Sequence, residues 1–419
     1  MNISKIALLF VIFVDVAGQG LIFPLINTLI SDPSAGFMPA GTSAAARHLS
    51  YGLVIGVFYL SWFLGAVYIS KLSDSIGRKN GILICLAGAL IGYVLTILAI
   101  AFGSLWMMIL GRAITGFTAG NQPIAQAALI DRSRDETEKT RNLGYAVSAF
   151  SVGLIAGPLI AGLLSDTALI GDAASLSLPF YVAFGLVLVA IVLITLFFKD
   201  RLEERAPLQV KPVEVFLLLW EVRRHPVVLR LSAVFFCYMF VWNTLYVFVD
   251  TYLTSRFQLD TLGTSMAMLI LGATVALASA FLVTAATAHF SRQSIVTTAS
   301  VVMVVAAALF VAETPQIVIF ITLVPLAAAF AIGYATLLSL FSDSVDSGRQ
   351  GWVMGVATAL WTLGAGLTSL IVGDLMGQNV AVPFYVAGAS AALALILMAL
   401  LWRYPDLRRI ARVVAGRTQ

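Results

Sequence analysis

Charge is what this chain has least of. Only 11% of its 419 residues are Asp, Glu, Lys or Arg, against roughly a quarter in soluble globular proteins. That scarcity, beside a hydrophobic content of 60%, excludes a soluble domain. Histidine is rarer still. His48, His225 and His289 are the only three, and all fall at the ends of apolar runs or between them. With no nucleophile–base set and no metal-ligand spacing, the chain does not read as an enzyme, and no cofactor is expected. The two cysteines, Cys85 and Cys237, lie inside apolar runs, which excludes a disulfide framework and leaves ordinary packing. Long polar stretches are also lacking: residues 199–228 form the only one in mid-chain. No large soluble or signalling extension is present, which counts against a non-transporting membrane sensor. The apolar run that follows Lys5 continues past Asp15 to Ile30 without a small-residue cleavage site, so it reads as a retained helix.

What the chain does contain is a series of apolar runs, each about 20 residues, the length that crosses a bilayer as a helix. Twelve are read, near 6–30, 50–70, 82–102, 104–130, 143–164, 178–198, 229–253, 263–288, 294–312, 316–341, 350–373 and 381–402. The expected fold is therefore an all-α membrane protein of twelve transmembrane helices. Lys and Arg set the orientation. Of the 25, 22 fall in the termini and the even-numbered connections; Arg47 and Arg256 lie on the other side and Arg112 within span 4. The positive-inside rule places both termini and the 199–228 segment in the cytoplasm. This placement explains the net charge of +4 without any role in nucleic-acid binding. Within that segment, Val213 to Trp220 is apolar enough to lie at the membrane interface as a short helix.

The two halves repeat. Pro179-Phe180-Tyr181-Val182-Ala183 opens span 6, and Pro383-Phe384-Tyr385-Val386-Ala387 opens span 12. Gly144 and Gly153 of span 5 have the spacing of Gly355 and Gly364 of span 11. The expected division is a six-helix bundle at 1–198, a cytoplasmic linker at 199–228 and a second bundle at 229–419. Repeats of this kind place a substrate site near the midplane, reached by alternating access.

One residue breaks the apolar pattern most sharply. Asp15 sits mid-span, where a carboxylate costs ~2.5 kcal/mol or more and needs a partner or a purpose. Counting 1.5 Å per residue, Asp15 and Arg112 of span 4 both lie ~12–15 Å deep, so a proton-coupling pair, direct or through water, is geometrically reasonable. A purely structural ion pair fits the same spacing. Steps of three and four residues carry a polar stripe from Arg112 through Thr115, Ala119, Gln122 and Gln126. Gln19 lies one turn from Asp15, and span 7 offers Phe236, Met239, Asn243 and Tyr246. These residues, with Trp361 of span 11, are the expected lining of a substrate cavity, although each also suits interhelical packing. Asp250, near the outer end of span 7, is read as an outer-side charge, with Arg47, His48 and Arg256 as available partners.

The loop Ser70-Lys71-Leu72-Ser73-Asp74-Ser75-Ile76-Gly77-Arg78-Lys79 resembles the signature loop of the major facilitator superfamily, Gly-x-Leu-x-Asp-x-x-Gly-Arg-Lys, with Ser70 in place of the first Gly. The resemblance implies a cytoplasmic gate of Asp74, Gly77, Arg78 and Asp131 that latches the two halves. The equivalent loop of the second half, Ala288 to Arg292, is degenerate, so the latch is one-sided. Arg112-x-x-x-Gly116 resembles the span 4 motif of the same family. Gly153-x-x-x-Gly157-Pro158-x-x-Ala161-Gly162 resembles its antiporter motif, with Ala161 replacing one Gly, and implies a hinge at Gly153, Gly157, Pro158 and Gly162. Small residues four apart permit close helix approach, and Gly272, Ala276 and Ala280 of span 8 offer a matching face. Span 1, from Asp15 to Pro24, is similar to that of twelve-span drug–proton antiporters, tetracycline exporters among them.

The resemblance implies a proton-coupled exporter of a small organic molecule, a drug, siderophore or metabolite, working by alternating access. Its partners would be protons, the substrate and the lipid bilayer, with the proton gradient as driving force. A monomer in a bacterial-type inner membrane is expected. A proton-coupled importer or a facilitator is the second reading; the span 5 motif leans toward export.

Overall fold

In a membrane core no water is available to backbone amides, so each apolar run must satisfy its own N–H and C=O groups as a helix. The computed structural model describes residues 2–200, 213–312, 314–346 and 349–412, and among them there is no strand. The helices in order are α1 (Ile3–Ser31), α2 (Ala44–Ile76), α3 (Arg78–Phe102), α4 (Leu105–Phe117), α5 (Asn121–Asp131), α6 (Glu136–Ser165), α7 (Thr167–Ile170), α8 (Leu178–Phe197), α9 (Glu214–Glu221), α10 (Pro226–Phe257), α11 (Thr261–Leu277), α12 (Val283–His289), α13 (Arg292–Val311), α14 (Gln316–Asp343), α15 (Gln350–Met376), α16 (Val382–Leu401) and α17 (Pro405–Ala411). A π-turn at Ala278–Leu282 joins α11 to α12, so Thr261–His289 runs as one span.

Among the described residues, eleven helices are long and apolar enough to cross a membrane. The twelfth expected span, 104–130, is split into α4 and α5, neither of which is long enough alone. Cα packing divides the chain into two units. The first is Met1–Pro212 with Leu259–Leu269, and the second is Val213–Gln258 with Ile270–Gln419. The start of span 8 packs with the first unit because Thr261 Oγ1 meets Thr28 Oγ1 at 2.8 Å and Ser265 fits against Gly162. Of the linker expected at 199–228, residues 201–212 lie outside the described residues; the helix expected from Val213 is α9.

Each unit has one enclosed helix. The apolar windows of α1 and α10 are 67% and 72% buried, whereas those of α8 and α16 are 28% buried. The repeated pentapeptide opens α8 and α16 in the same way. Proline stands in the first turn of each, where its missing N–H costs nothing. Phe180 and Phe384 turn inward while Tyr181 and Tyr385 are exposed. Exposed apolar side chains such as Phe102, Trp106, Leu196, Phe281 and Ile317 invert the pattern of a soluble protein, as lipid contact requires.

Candidate functional site

The break in span 4 builds the site. Thr118 N still bonds Ile114 O at 3.1 Å, but Ala119 N tightens onto Gly116 O and Gly120 N onto Thr118 O. Pro123 then has no N–H to return to Ala119, and its ring disfavours a continuous helix at that carbonyl. The chain restarts as α5 at Asn121, with Ile124 N bonding Gly120 O at 3.2 Å. The first turn of α5, whose N–H groups have no intrahelical acceptors, begins beside Asp15.

Asp15 accepts two hydrogen bonds, both from carboxamides. Asn121 Nδ2 lies 3.2 Å from Oδ1, and Gln19 Nε2 lies 3.4 Å from Oδ2. Asn121 is 98% enclosed, and its own Oδ1 is buried with no hydrogen-bond partner. A cavity of about 40 Å³ adjoins Asp15 and is also lined by Gln19, Phe58, Tyr93, Arg112, Thr115 and Asn121. That volume holds about three waters at most and is far below the several hundred Å³ of a drug-sized pocket.

Arg112 borders the same cavity but makes no ion pair with Asp15. Its guanidinium stands 4.1 Å above the Phe58 ring, and its Nε is buried without a partner. The direct pair allowed by the depth estimate is therefore not formed. Depth fixes the level of a residue along the bilayer normal, not its direction around the helix axis. Gly116 explains the geometry: a Cβ there would fall 2.2 Å from the Phe58 carbonyl oxygen. The glycine lets α4 close on α2 at the residue whose ring receives the guanidinium. A desolvated cation–π contact of this kind is worth about 2 kcal/mol.

The polar stripe expected from Arg112 to Gln126 assumed one uninterrupted helix. Thr115 lies on the cavity, its hydroxyl bonding the carbonyls of Gly111 and Arg112. Beyond the break the register is reset, so Asn121 reaches Asp15 while Gln122 and Gln126 are not in the cavity lining. Asn121 and Tyr93 were missed by sequence reasoning. The signal for Asn121 was present in the Gly120-Asn121-Gln122-Pro123 string, a helix-restart pattern. Tyr93 had no such signal, since its hydroxyl reaches the site only because Gly18 leaves room; a Cβ there would lie 2.1 Å away.

The antiporter-like motif packs on the Asp15 helix. A Cβ on Gly153 would meet Val16 Cβ at 2.8 Å, and one on Gly157 would meet the Ala17 carbonyl at 2.5 Å. Pro158 Cδ lies 3.0 Å from where a Gly20 Cβ would stand. The small face opposing Gly153 and Gly157 is thus on α1, rather than the expected Gly272-Ala276-Ala280 face of span 8. Gly162 meets Leu262 and Ser265 at the start of that span. Lys5 pins the same pair of helices at one end, with Nζ 2.5 Å from Glu138 Oε1 and 3.1 Å from Asn142 Oδ1.

In the signature loop Arg78 pairs with Asp74 and with Asp131, whose Oδ2 is 3.1 Å from Nε. Gly77 turns the chain at φ +100°, where a side chain would be strained and would strike Asp200. Asp200, unforeseen from the sequence, accepts the Lys79 backbone N–H at 3.1 Å and so caps α3. The second unit is built differently. Asn243 and Trp361 exchange two bonds: Nε1 of the indole donates to Asn243 Oδ1 at 3.0 Å, and Asn243 Nδ2 donates to the Trp361 carbonyl at 3.3 Å. Trp242 stacks on Phe330 at 3.7 Å and beside Tyr246 at 5.4 Å, while Met239 is fully buried. Asp250 is also fully buried, with Oδ1 accepting the Thr251 N–H at 2.7 Å. Its side chain is enclosed rather than exposed, nearly two turns before α10 ends at Phe257. Arg256 instead donates to the Tyr252 hydroxyl at 2.6 Å, and Arg47 to the Ile30 carbonyl at 2.8 Å.

The sequence profile of the Major Facilitator Superfamily matches residues 8–369. The chain belongs to that superfamily. As a major facilitator it is a multi-pass membrane transporter of small molecules, not an enzyme. It is 29% identical over 367 residues to the class G tetracycline resistance protein of Vibrio anguillarum, covering 87% of this chain and 88% of that one. To the class C tetracycline resistance protein of Escherichia coli it is 28% identical over 416 residues, 97% of each chain. Among solved structures, the D-xylose–proton symporter superposes with a TM-score of 0.72 at 14% identity over the whole of both chains, which carries the fold alone.

Proposed function

We propose that this major facilitator exports a small organic molecule in exchange for protons, with Asp15 as the group that takes up and releases the proton. The observation that carries the reading is the company Asp15 keeps: two carboxamides, a water-sized cavity and, among the described residues, no cation within ion-pair distance. A guanidinium can only donate, so an ion pair would serve the carboxylate alone. A carboxamide donates through nitrogen and accepts through oxygen, so rotation lets it serve the charged and the protonated carboxyl in turn. Asn121 already holds a buried oxygen with no partner. Gln19 and Thr115 belong with this proton site rather than with the substrate. Substrate contact is assigned to the aromatic and amide cluster of Asn243, Tyr246 and Trp361 in the second unit.

Proton entry supplies ~2.3 kcal/mol per 100 mV of membrane potential. Because Gly153 and Gly157 hold α6 against Val16 and Ala17, a change at Asp15 is felt at the hinge motif with no intermediary. The Asp74–Arg78–Asp131 cluster serves as the cytoplasmic latch. Both termini lie in the cytoplasm of a cell whose inner membrane carries a monomer, and no cofactor takes part. The tetracycline resistance proteins make tetracyclines the first compounds to test.

The experiment is transport in proteoliposomes with an imposed pH gradient. Tetracycline movement opposite to the proton flow, abolished by a protonophore, is the expected result. Movement with the protons would make the chain an importer, and transport indifferent to the gradient would remove proton coupling.

A further inference from the structure

Span 12 ends in a basic cavity that the transport reading does not use. It has a volume of about 330 Å³ and is lined by Gln293, Met398, Trp402 and three arginines, Arg403, Arg408 and Arg412. Its construction follows from the sequence. Helix α16 stops at Leu401, Pro405 starts α17 within one turn, and α17 buries Leu407 and Ala411 completely. With those two residues inward, Arg408 is left facing outward, and Arg412 follows one turn later. No carboxylate of the described residues lies within 4.0 Å of any of the three guanidiniums. Asp343, the acid that closes α14, is taken by Arg292 at 2.5 Å. Two further features favour an anion. Gln293 stands in the first turn of α13, the positive end of that helix dipole. Trp402 is 1% exposed, and its indole N–H is buried without an acceptor.

Three uncompensated cations where an apolar helix ends lie at the level of lipid headgroups. Below the cavity, α16 exposes Leu393, Ile396 and Leu400, a stripe at helical spacing suited to an acyl chain. We infer that this cavity binds the phosphate of an anionic phospholipid, its acyl chains lying along α16. Arginine matches phosphate oxygens in bidentate fashion. A zwitterionic lipid carries the same phosphate, but its ammonium group would be repelled by the three guanidiniums. Free phosphate shares the headgroup chemistry and lacks the chains.

The test is native mass spectrometry of the purified full-length protein in detergent, incubated with dioleoylphosphatidylglycerol, dioleoylphosphatidylethanolamine or inorganic phosphate. The wild type is expected to retain phosphatidylglycerol at least tenfold over phosphatidylethanolamine, and excess phosphate should leave that retention unchanged. At roughly fivefold per arginine, the variant with Arg403, Arg408 and Arg412 all changed to Gln should lose retention on the order of 100-fold. A variant with Arg223, Arg224 and Arg409 changed to Gln removes the same charge from exposed positions outside the cavity, and it should retain the lipid like wild type. If the first triple variant fails to fold, Arg408→Gln alone carries the test with a fivefold loss. Equal loss in the two triple variants, or equal retention of the two lipids, overturns the site. Displacement of the lipid by phosphate overturns the lipid and leaves a phosphate ion as the ligand.

Discussion

In the first unit a carboxylate and a guanidinium border one small cavity without pairing, at a helix that breaks to reach them. In the second, a neutral amide is clasped by an indole, inside stacked aromatic rings, between helices that run unbroken. Span 10, the counterpart of span 4, carries Pro325 and still continues for 28 residues as α14. Proline alone therefore does not split a span here. Span 4 has Gly120 three residues before Pro123, and the pair ends one helix and begins another. The two halves repeat in outline and diverge in chemistry. A buried carboxylate held by carboxamides marks the first unit's cavity, and an amide among aromatic rings marks the second unit's cluster.

The sharpest way to test that contrast is Asp15→Asn. Proton-driven transport should fall to background, because the carboxyl proposed to take up the proton, and so to draw on ~2.3 kcal/mol per 100 mV, is gone. Equilibrium binding of the compound that the wild type transports should survive, as read by fluorescence titration. Full coupled transport by this variant would move proton coupling away from Asp15. Next in size is Gly157→Leu. Its side chain would enter the Ala17 backbone and push α6 from α1, at a cost of about 1–3 kcal/mol or more. Folded yield on size exclusion should drop, whereas Gly144→Leu, with open space around it, should be tolerated.

Asn121→Ala removes a donor to a charged group, worth about 1.5–3 kcal/mol, so the coupled rate should fall roughly 10- to 100-fold with substrate affinity little changed. Trp361→Phe in the second unit should do the reverse. Losing one neutral hydrogen bond, ~1 kcal/mol, should weaken substrate affinity about fivefold and leave the proton-to-substrate ratio intact. If both variants altered coupling alike, the division of labour between the units would collapse. The smallest effect is expected for Asp131→Asn. It removes a partly exposed ion pair worth at most about 1 kcal/mol, and Arg78 keeps Asp74 as its partner. A change of less than fivefold in transport rate should result.

Apart from the split of span 4, the apolar helices and the transporter reading follow from the sequence alone, for one reason. A bilayer turns any apolar run of about 20 residues into a helix whatever its neighbours are, and fixed-register motifs such as Leu72 to Lys79 name the family that arranges them. Asp15 was legible in the same way, as a charge where charge is costly. Direction was not legible. Whether Arg112 meets Asp15 or Phe58, whether Gln122 or Asn121 faces the carboxylate, and whether Gly157 closes on α1 or on span 8 all depend on rotation about helix axes. Those rotations are set by close backbone contacts at Gly116 and Gly157 and by the interruption at Gly120. Such contacts join residues distant in the chain, so periodicity within one helix carries no trace of them, and only the packed structure decided them.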